Sequence, residues 1–139
     1  LSKTPLNILI VEDNLAHLKL TQLVLQRSHV DAALYVVRDG QEALDFLFNA
    51  GAFADPIQHP RPNLILLDLN IPKRDGREVL KLLKEQTNLA TIPIVIVSTS
   101  DREEDVNYAF KNGAVAYVSK SAGFTNFSSQ LTDVIRFAN

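Results

Sequence analysis

The sequence predicts an α/β domain: a doubly wound parallel sheet of five strands with helices on both faces. Three observations lead there. Short apolar runs alternate with longer stretches of helical period along the chain, five of each. Several of those runs are apolar at every position, the mark of strands covered on both faces. Parallel neighbours need crossovers, and the intervening helices supply them. Right-handed crossovers then restrict the topology, and the expected strand order is 2-1-3-4-5, that of flavodoxin-like sheets.

Taken in order, Ile8 to Val11 reads as the first strand, and Leu15, Leu18, Val24 and Leu25 can line one side of the helix after it. Leu34 to Val37 is the second strand. Asp39-Gly40-Gln41-Glu42 then places a carboxylate at a helix N-cap and a glutamate three positions on, a capping-box pattern. The helix from Gln41 is expected to end near Gly51, before a loop holding Pro56, Pro60 and Pro62. Leu64 to Leu67 is the third strand, and Arg77 to Glu85 is helical, with Val79, Leu80, Leu82 and Leu83 apolar. Ile94 to Val97 is the fourth strand. Ser100 to Glu103 is a second capping-box candidate, opening a helix that should bury Val106, Ala109 and Phe110 and stop at Asn112-Gly113. Ala116 to Val118 is the fifth strand. Phe127, Leu131, Val134 and Ile135 at helical spacing make the last helix.

At 139 residues the chain fits one domain, residues 1–139, and can bury roughly two-thirds of its unfolded surface. Apolar residues at 46% and charged residues at 22% are ordinary for a globular protein. A formal net charge of −2 gives no electrostatic reason to expect nucleic acid or an anionic membrane as partner. With no cysteine there is no disulfide framework, thiol nucleophile or thiolate metal site, and the cytoplasm is the expected compartment. No stretch has the length of a membrane span, and no signal-peptide pattern opens the chain. Asn126-Phe127-Ser128 matches a glycosylation sequon, which the cytosolic reading makes a chance match.

In doubly wound sheets the functional crevice lies beyond the carboxyl ends of the strands, where the order switches. The first strand ends in Glu12-Asp13, the third in Asp68 and the fourth in Ser98-Thr99, while the fifth runs into Lys120. Three neighbouring carboxylates repel one another unless a counterion intervenes. A hard divalent cation removes the conflict, because Mg²⁺ takes oxygen ligands and is usually held by one or two carboxylates plus phosphate oxygens. Lys120 adds a point charge suited to a phosphoryl oxygen, and a hydroxyl such as Ser98 can donate to another. Such a site can receive a phosphoryl group on a carboxylate.

Glu12-Asp13, the segment Leu64-Ile-Leu-Leu-Asp68-Leu-Asn-Ile-Pro72 with Asp75-Gly76, the segment Ile94-Val-Ile-Val-Ser98, and Lys120 together resemble the receiver domain of two-component response regulators. The resemblance runs from about Leu6 to Asn139. Arg61 to Asn70, Pro72 to Leu80 and Lys120-Ser121 are most similar to the small stand-alone regulators that pair with cyanobacterial phytochrome histidine kinases. By position, the resemblance implies that Asp68 accepts the phosphoryl group from a kinase phosphohistidine. Mg²⁺, or another divalent cation such as Mn²⁺ or Ca²⁺, would be held by Asp13, by Glu12 directly or through water, by Asp68 and by the backbone carbonyl of Asn70. Ser98 stands at the family's switch hydroxyl and Tyr117 at the switch aromatic, which turns inward when that hydroxyl moves; Ser98, Thr99 and Lys120 are the expected phosphate contacts. Asn70 and Ser100 stand where hydrolysis of the acyl phosphate is tuned. One departure is plain: the family usually has Lys-Pro joined by a cis peptide, whereas Ser121 follows Lys120 here. A cis bond without proline costs roughly 3 kcal/mol, so either the bond is trans and the loop differs locally, or a strained cis bond persists.

Each of these residues also has a plainer reading. Asp68 alone could cap a strand end, Lys120 could be a solvated loop lysine, and Ser98-Thr99 could simply finish a strand. Tyr117 could be ordinary edge-strand packing. Asp75-Gly76 reads as turn chemistry, Lys73 and Arg74 as a solvated loop, and His17, His29 and His59 show no ligand spacing. Convergence of the carboxylates, hydroxyl and lysine on one rim is what favours the functional reading. The expected protein is a phosphorylation-driven switch and not a conventional enzyme, supporting only its own phosphotransfer and slow autodephosphorylation. No output module is expected after the last helix, so the output would be an interaction with another protein or a second copy. Tyr108, Phe110, Tyr117 and Phe137 suggest a homodimer through the surface of the fourth helix, fifth strand and fifth helix. Two other classes share parts of the pattern. A flavodoxin-like flavin module would need a hydroxyl- and glycine-rich phosphate loop where Glu12-Asp13-Asn14 stands; an aspartyl-phosphate phosphatase would carry a second acid where Asn70 stands. A degenerate receiver is disfavoured by the full set of site residues.

Overall fold

The structure is a computed structural model and describes residues 5–138; residues 1–4 and 139 of the expected domain lie outside it. Five strands form one parallel sheet: β1 (Leu6–Val11), β2 (Ala32–Val37), β3 (Leu64–Leu67), β4 (Ile94–Ser98) and β5 (Ala116–Ser119). Their order is β2-β1-β3-β4-β5, the one expected of a flavodoxin-like sheet. Between and after them run α1 (Leu15–Arg27), α2 (Gly40–Leu47), α3 (Gly76–Glu85), α4 (Glu103–Lys111) and α5 (Phe124–Ala138), with a short 3₁₀ turn at Gly51–Phe53.

The pleat sorts successive strand residues onto two faces. Leu9, Val11, Ile65, Leu67, Ile94 and Ile96 meet residues of α2, α3 and α4, while Ile8, Ile10, Leu64, Leu66, Val95 and Val97 meet those of α1 and α5. Every residue of β3 and β4 is buried, which is why these strands read as unbroken apolar runs. β2 and β5 are the edges, and most of their residues are only half-buried.

Three local expectations need correction. Leu15 is 53% exposed: it sits in the first turn of α1, and the stripe that meets the sheet is Leu18, Thr21, Val24 and Leu25. α2 begins one residue early and ends at Leu47, because Asn49 takes a left-handed backbone with φ 51° that a helix cannot continue. Its cap is Asp39, which accepts from the Glu42 N–H at 2.8 Å, but Glu42 reaches back to the N–H of Arg38 and not of Asp39. Ser100 does not cap α4; the helix starts at Glu103 and its N-cap position, Arg102, has no side-chain cap bond. That start rotates the buried stripe onto Asp105 and Ala109, four residues apart, so Val106 is half-buried and Phe110 turns outward at 48% exposure.

Two glycines let the helices close on the loop after β3. A Cβ on Gly76 would stand 2.2 Å from the backbone oxygen of Asp68, and one on Gly40 would stand 2.0 Å from that of Arg74. Both helix starts therefore sit directly on the segment 68–74, which fixes that segment from two sides.

Candidate functional site

Parallel register places the strand ends side by side. Val11 pairs with Leu67, so Glu12 and Asp68 leave the sheet together, and the Asp68 N–H still reaches the Val11 carbonyl at 3.2 Å. Ser98 pairs with Ser119, and the next N–H, that of Lys120, donates to the Ser98 carbonyl at 2.8 Å. Glu12, Asp13 and Asp68 each offer a carboxylate oxygen within 4.8 Å of the others. Glu12 and Asp68 are 4% and 7% exposed, while Asp13 faces solvent.

Lys120 sits among them with its side chain 4% exposed. Its ammonium donates to Asp68 Oδ2 at 2.9 Å and to Glu12 Oε1. The other Asp68 oxygen, Oδ1, accepts from the Asn70 N–H at 3.0 Å, a local turn that aims the carboxylate. Burial pushes the Glu12 carboxyl above its usual range, and the hydrogen bond and charge of Lys120 oppose this without cancelling it. One buried ammonium is thus shared by two buried carboxylates, and a third carboxylate waits at the mouth. Hard oxygen donors crowded in this way fit a divalent cation such as Mg²⁺, Mn²⁺ or Ca²⁺.

The remaining predicted residues stand on the same rim without bonding to the carboxylates. Ser98 is wholly buried and its hydroxyl accepts from the Ser100 N–H at 3.2 Å. Thr99 is exposed, and its backbone carbonyl accepts from the Ser121 hydroxyl. Tyr117 turns its hydroxyl to the Ser100 carbonyl at 2.6 Å, and burial pushes its phenol above the usual range, keeping it a donor. Among the described residues every peptide bond is trans, Lys120-Ser121 included.

One site residue escaped the sequence reading. His17 Nδ1 lies 3.3 Å from the Lys120 ammonium, a third acceptor for its three protons. Burial, then the Lys120 charge, holds the imidazole below its ordinary pKa, so near neutral pH it presents a lone pair. The signal was its place in the first turn of α1, three residues after the N-cap Asn14 and close behind Glu12-Asp13, which carries meaning only once Lys120 is known to lie opposite. His59 follows the plainer reading: its ring packs edge-on against Phe46 and Phe53 at 5.5 and 5.1 Å.

A doubly wound sheet that gathers three acids, a hydroxyl strand end and a lysine at its switch point is the architecture of a phosphoryl-accepting signalling domain. The sequence profile of the response regulator receiver domain matches residues 8–132, and the chain belongs to that family. It is 40% identical over 136 residues to Response regulator Rcp1 of Synechocystis sp., across 98% of this chain and 90% of that protein. The solved structure of the phosphorylated cyanobacterial phytochrome response regulator RcpA superposes with a TM-score of 0.87 at 39% identity, covering 96% of this chain and 94% of that one. The Mn²⁺-bound form of Rcp1 superposes at 0.86 with 41% identity and the same coverage. The chain is therefore a two-component signalling switch, and its class implies a histidine kinase as partner.

Proposed function

We propose that Asp68 is the phosphoacceptor and that this chain relays a phytochrome kinase's signal by changing its protein contacts. A carboxylate oxygen of Asp68 attacks phosphorus of the kinase phosphohistidine. The P–N bond breaks with its electron pair left on the imidazole nitrogen, and an acyl phosphate remains on Asp68. The carboxylates of Glu12, Asp13 and Asp68 and the backbone carbonyl of Asn70 would hold Mg²⁺, or Mn²⁺ or Ca²⁺ in its place, which supplies positive charge against the phosphoryl oxygens. Lys120, still an ammonium, turns one of its N–H donors from carboxylate to phosphoryl oxygen, and hydroxyls of Ser98 and Thr99 donate to others. Ser98 and Tyr117 form the switch pair. Asn70 and Ser100 set the slow loss of phosphate to water. The phytochrome assignment rests on the likeness to Rcp1 and RcpA. A cytoplasmic setting is consistent with the absence, among the described residues, of any helix long and apolar enough to cross a membrane.

One observation carries the reading: a buried carboxylate, Asp68, held 2.9 Å from a buried ammonium and grouped with two more carboxylates. Phosphotransfer from candidate histidine kinases, phytochromes among them, should label the wild type and leave Asp68→Asn unlabelled. Equal labelling of both would remove Asp68 from the role.

A second copy of the chain is the proposed reporter partner. On the surface of α4, β5 and α5, Phe110, Val115 and Phe137 are 48%, 58% and 94% exposed. Val115 and Phe137 also border a largely apolar hollow of about 470 Å³ with Leu64, Pro93 and Val134. Exposed apolar area of this kind marks a contact surface. Sedimentation should show a dimer whose population depends on phosphorylation, and a monomer under both conditions at high concentration would count against it.

A further inference from the structure

Ser100 has all three of its polar groups engaged. Its N–H donates to the Ser98 hydroxyl at 3.2 Å, its carbonyl accepts from the Tyr117 hydroxyl at 2.6 Å, and its own hydroxyl donates to Asp105 Oδ2 at 2.5 Å. Asp105 is 7% exposed, on the buried side of α4. Its other oxygen, Oδ1, accepts a fork from Arg77 of α3, with Nε at 3.1 Å and Nη2 at 2.7 Å. The third nitrogen of that guanidinium reaches both oxygens of Asp75, the α3 N-cap, at 3.3 and 3.2 Å. Gly76, next in the chain, donates to the carbonyl of Leu69, the residue after Asp68. A continuous path of polar bonds therefore leaves the Asp68 loop, crosses from α3 to α4, and returns through Ser100 to Ser98 and Tyr117.

A buried carboxylate facing a sheet is costly unless it is paired, and its best-attested uses are to fix register or to serve as a switch. Asp105 has a further reason to be there: the N-cap position of α4 makes no side-chain cap bond, so the first turn is tied down by Ser100 and Arg77 instead. Ser98 accepts from Ser100 and keeps its own proton to donate. Any movement of Ser98 towards a group on Asp68 must therefore pull on Ser100, and so on Tyr117 and Asp105 together.

We propose that Asp105 and Arg77 are positioning residues that hold Ser100, and through it set the balance between two arrangements of the switch pair Ser98 and Tyr117. This rests on the receiver reading given above and adds to it a second route, through α3 and α4, by which the Asp68 loop is felt at Tyr117.

Fluorotyrosine NMR suits the test, since the chain has only three tyrosines and Tyr35, on β2, serves as the internal reference. Wild type, Asp105→Ala, Asp105→Asn and Arg77→Met are compared before and after treatment with acetyl phosphate and Mg²⁺, with phosphoryl on Asp68 measured in parallel by mass. In the resting protein, Asp105→Ala and Arg77→Met should shift the balance between the two Tyr117 environments about fivefold or more. Asp105→Asn, which still accepts from Ser100, should lie between them and wild type. The Tyr35 line should not move. Identical Tyr117 lines in folded Asp105→Ala and wild type would overturn the proposal. If Asp105→Ala fails to fold, Arg77→Met decides in the same way, because it keeps the Ser100 and Asp105 side chains and removes the guanidinium that ties Asp105 to α3 and to Asp75. Absence of phosphoryl on wild-type Asp68 would instead sink the receiver reading, and the resting-state lines would still decide the linkage.

Discussion

Lys120 is the residue on which the site's electrostatics turn. It is the ammonium that bonds both buried carboxylates, and without it Glu12 and Asp68 face each other uncompensated. A carboxyl whose folded-state pKa is raised favours folding below that value and loses the advantage as pH rises through it. Glu12 already has a raised pKa, and removing Lys120 must raise it further. Lys120→Met is therefore expected to cost about 3 kcal/mol near neutral pH and much less in acid, where Glu12 is protonated. Urea unfolding across that range checks it, and a loss independent of pH would contradict the account. Asp68, Glu12, Asp13 and Lys120 were legible because each follows an apolar run, so strand ends could be read directly. His17 was not, because its meaning depends on what lies across from it.

At the scale of elements, helix starts matter more than helix interiors. α3 begins on Gly76 with its backbone against that of Asp68, so the glycine fixes the distance between the helix and the Asp68 loop. Gly→Ala in an exposed helix normally stabilises by about 0.5–1 kcal/mol. Gly76→Ala should reverse that sign and cost about 2 kcal/mol by overpacking, visible as a lower urea midpoint at unchanged slope. α4 illustrates what pattern reading misses. Ser100 and Glu103 have the spacing of a capping box, yet the serine hydroxyl goes to Asp105 and the helix begins three residues later. The competing acceptor became available because Arg77, far away in sequence, anchors Asp105.

For the whole molecule, the carboxylate cluster predicts linkage between metal and stability. A ligand that binds only the folded state stabilises it by about 2.7 kcal/mol at a concentration 100 times its Kd. Mg²⁺ should raise the melting temperature of wild type reversibly, with chelator restoring it, and Asp13→Asn should lose most of that gain. An equal rise in both proteins would place the cation elsewhere.

By itself the sequence determined the alternation of five strands with five helices, the two-sided burial of β1, β3 and β4, and which side chains stand at the strand ends. These follow from periodicity and the burial of central strands, both of which are local constraints. Tertiary structure alone decided that His17 meets Lys120, that Ser100 serves Asp105 and not α4, and that Phe110 turns outward. Those outcomes are competitions between hydrogen-bond partners, or rotations of a helix about its axis. They are settled only when residues distant in the chain come within about 3 Å of one another.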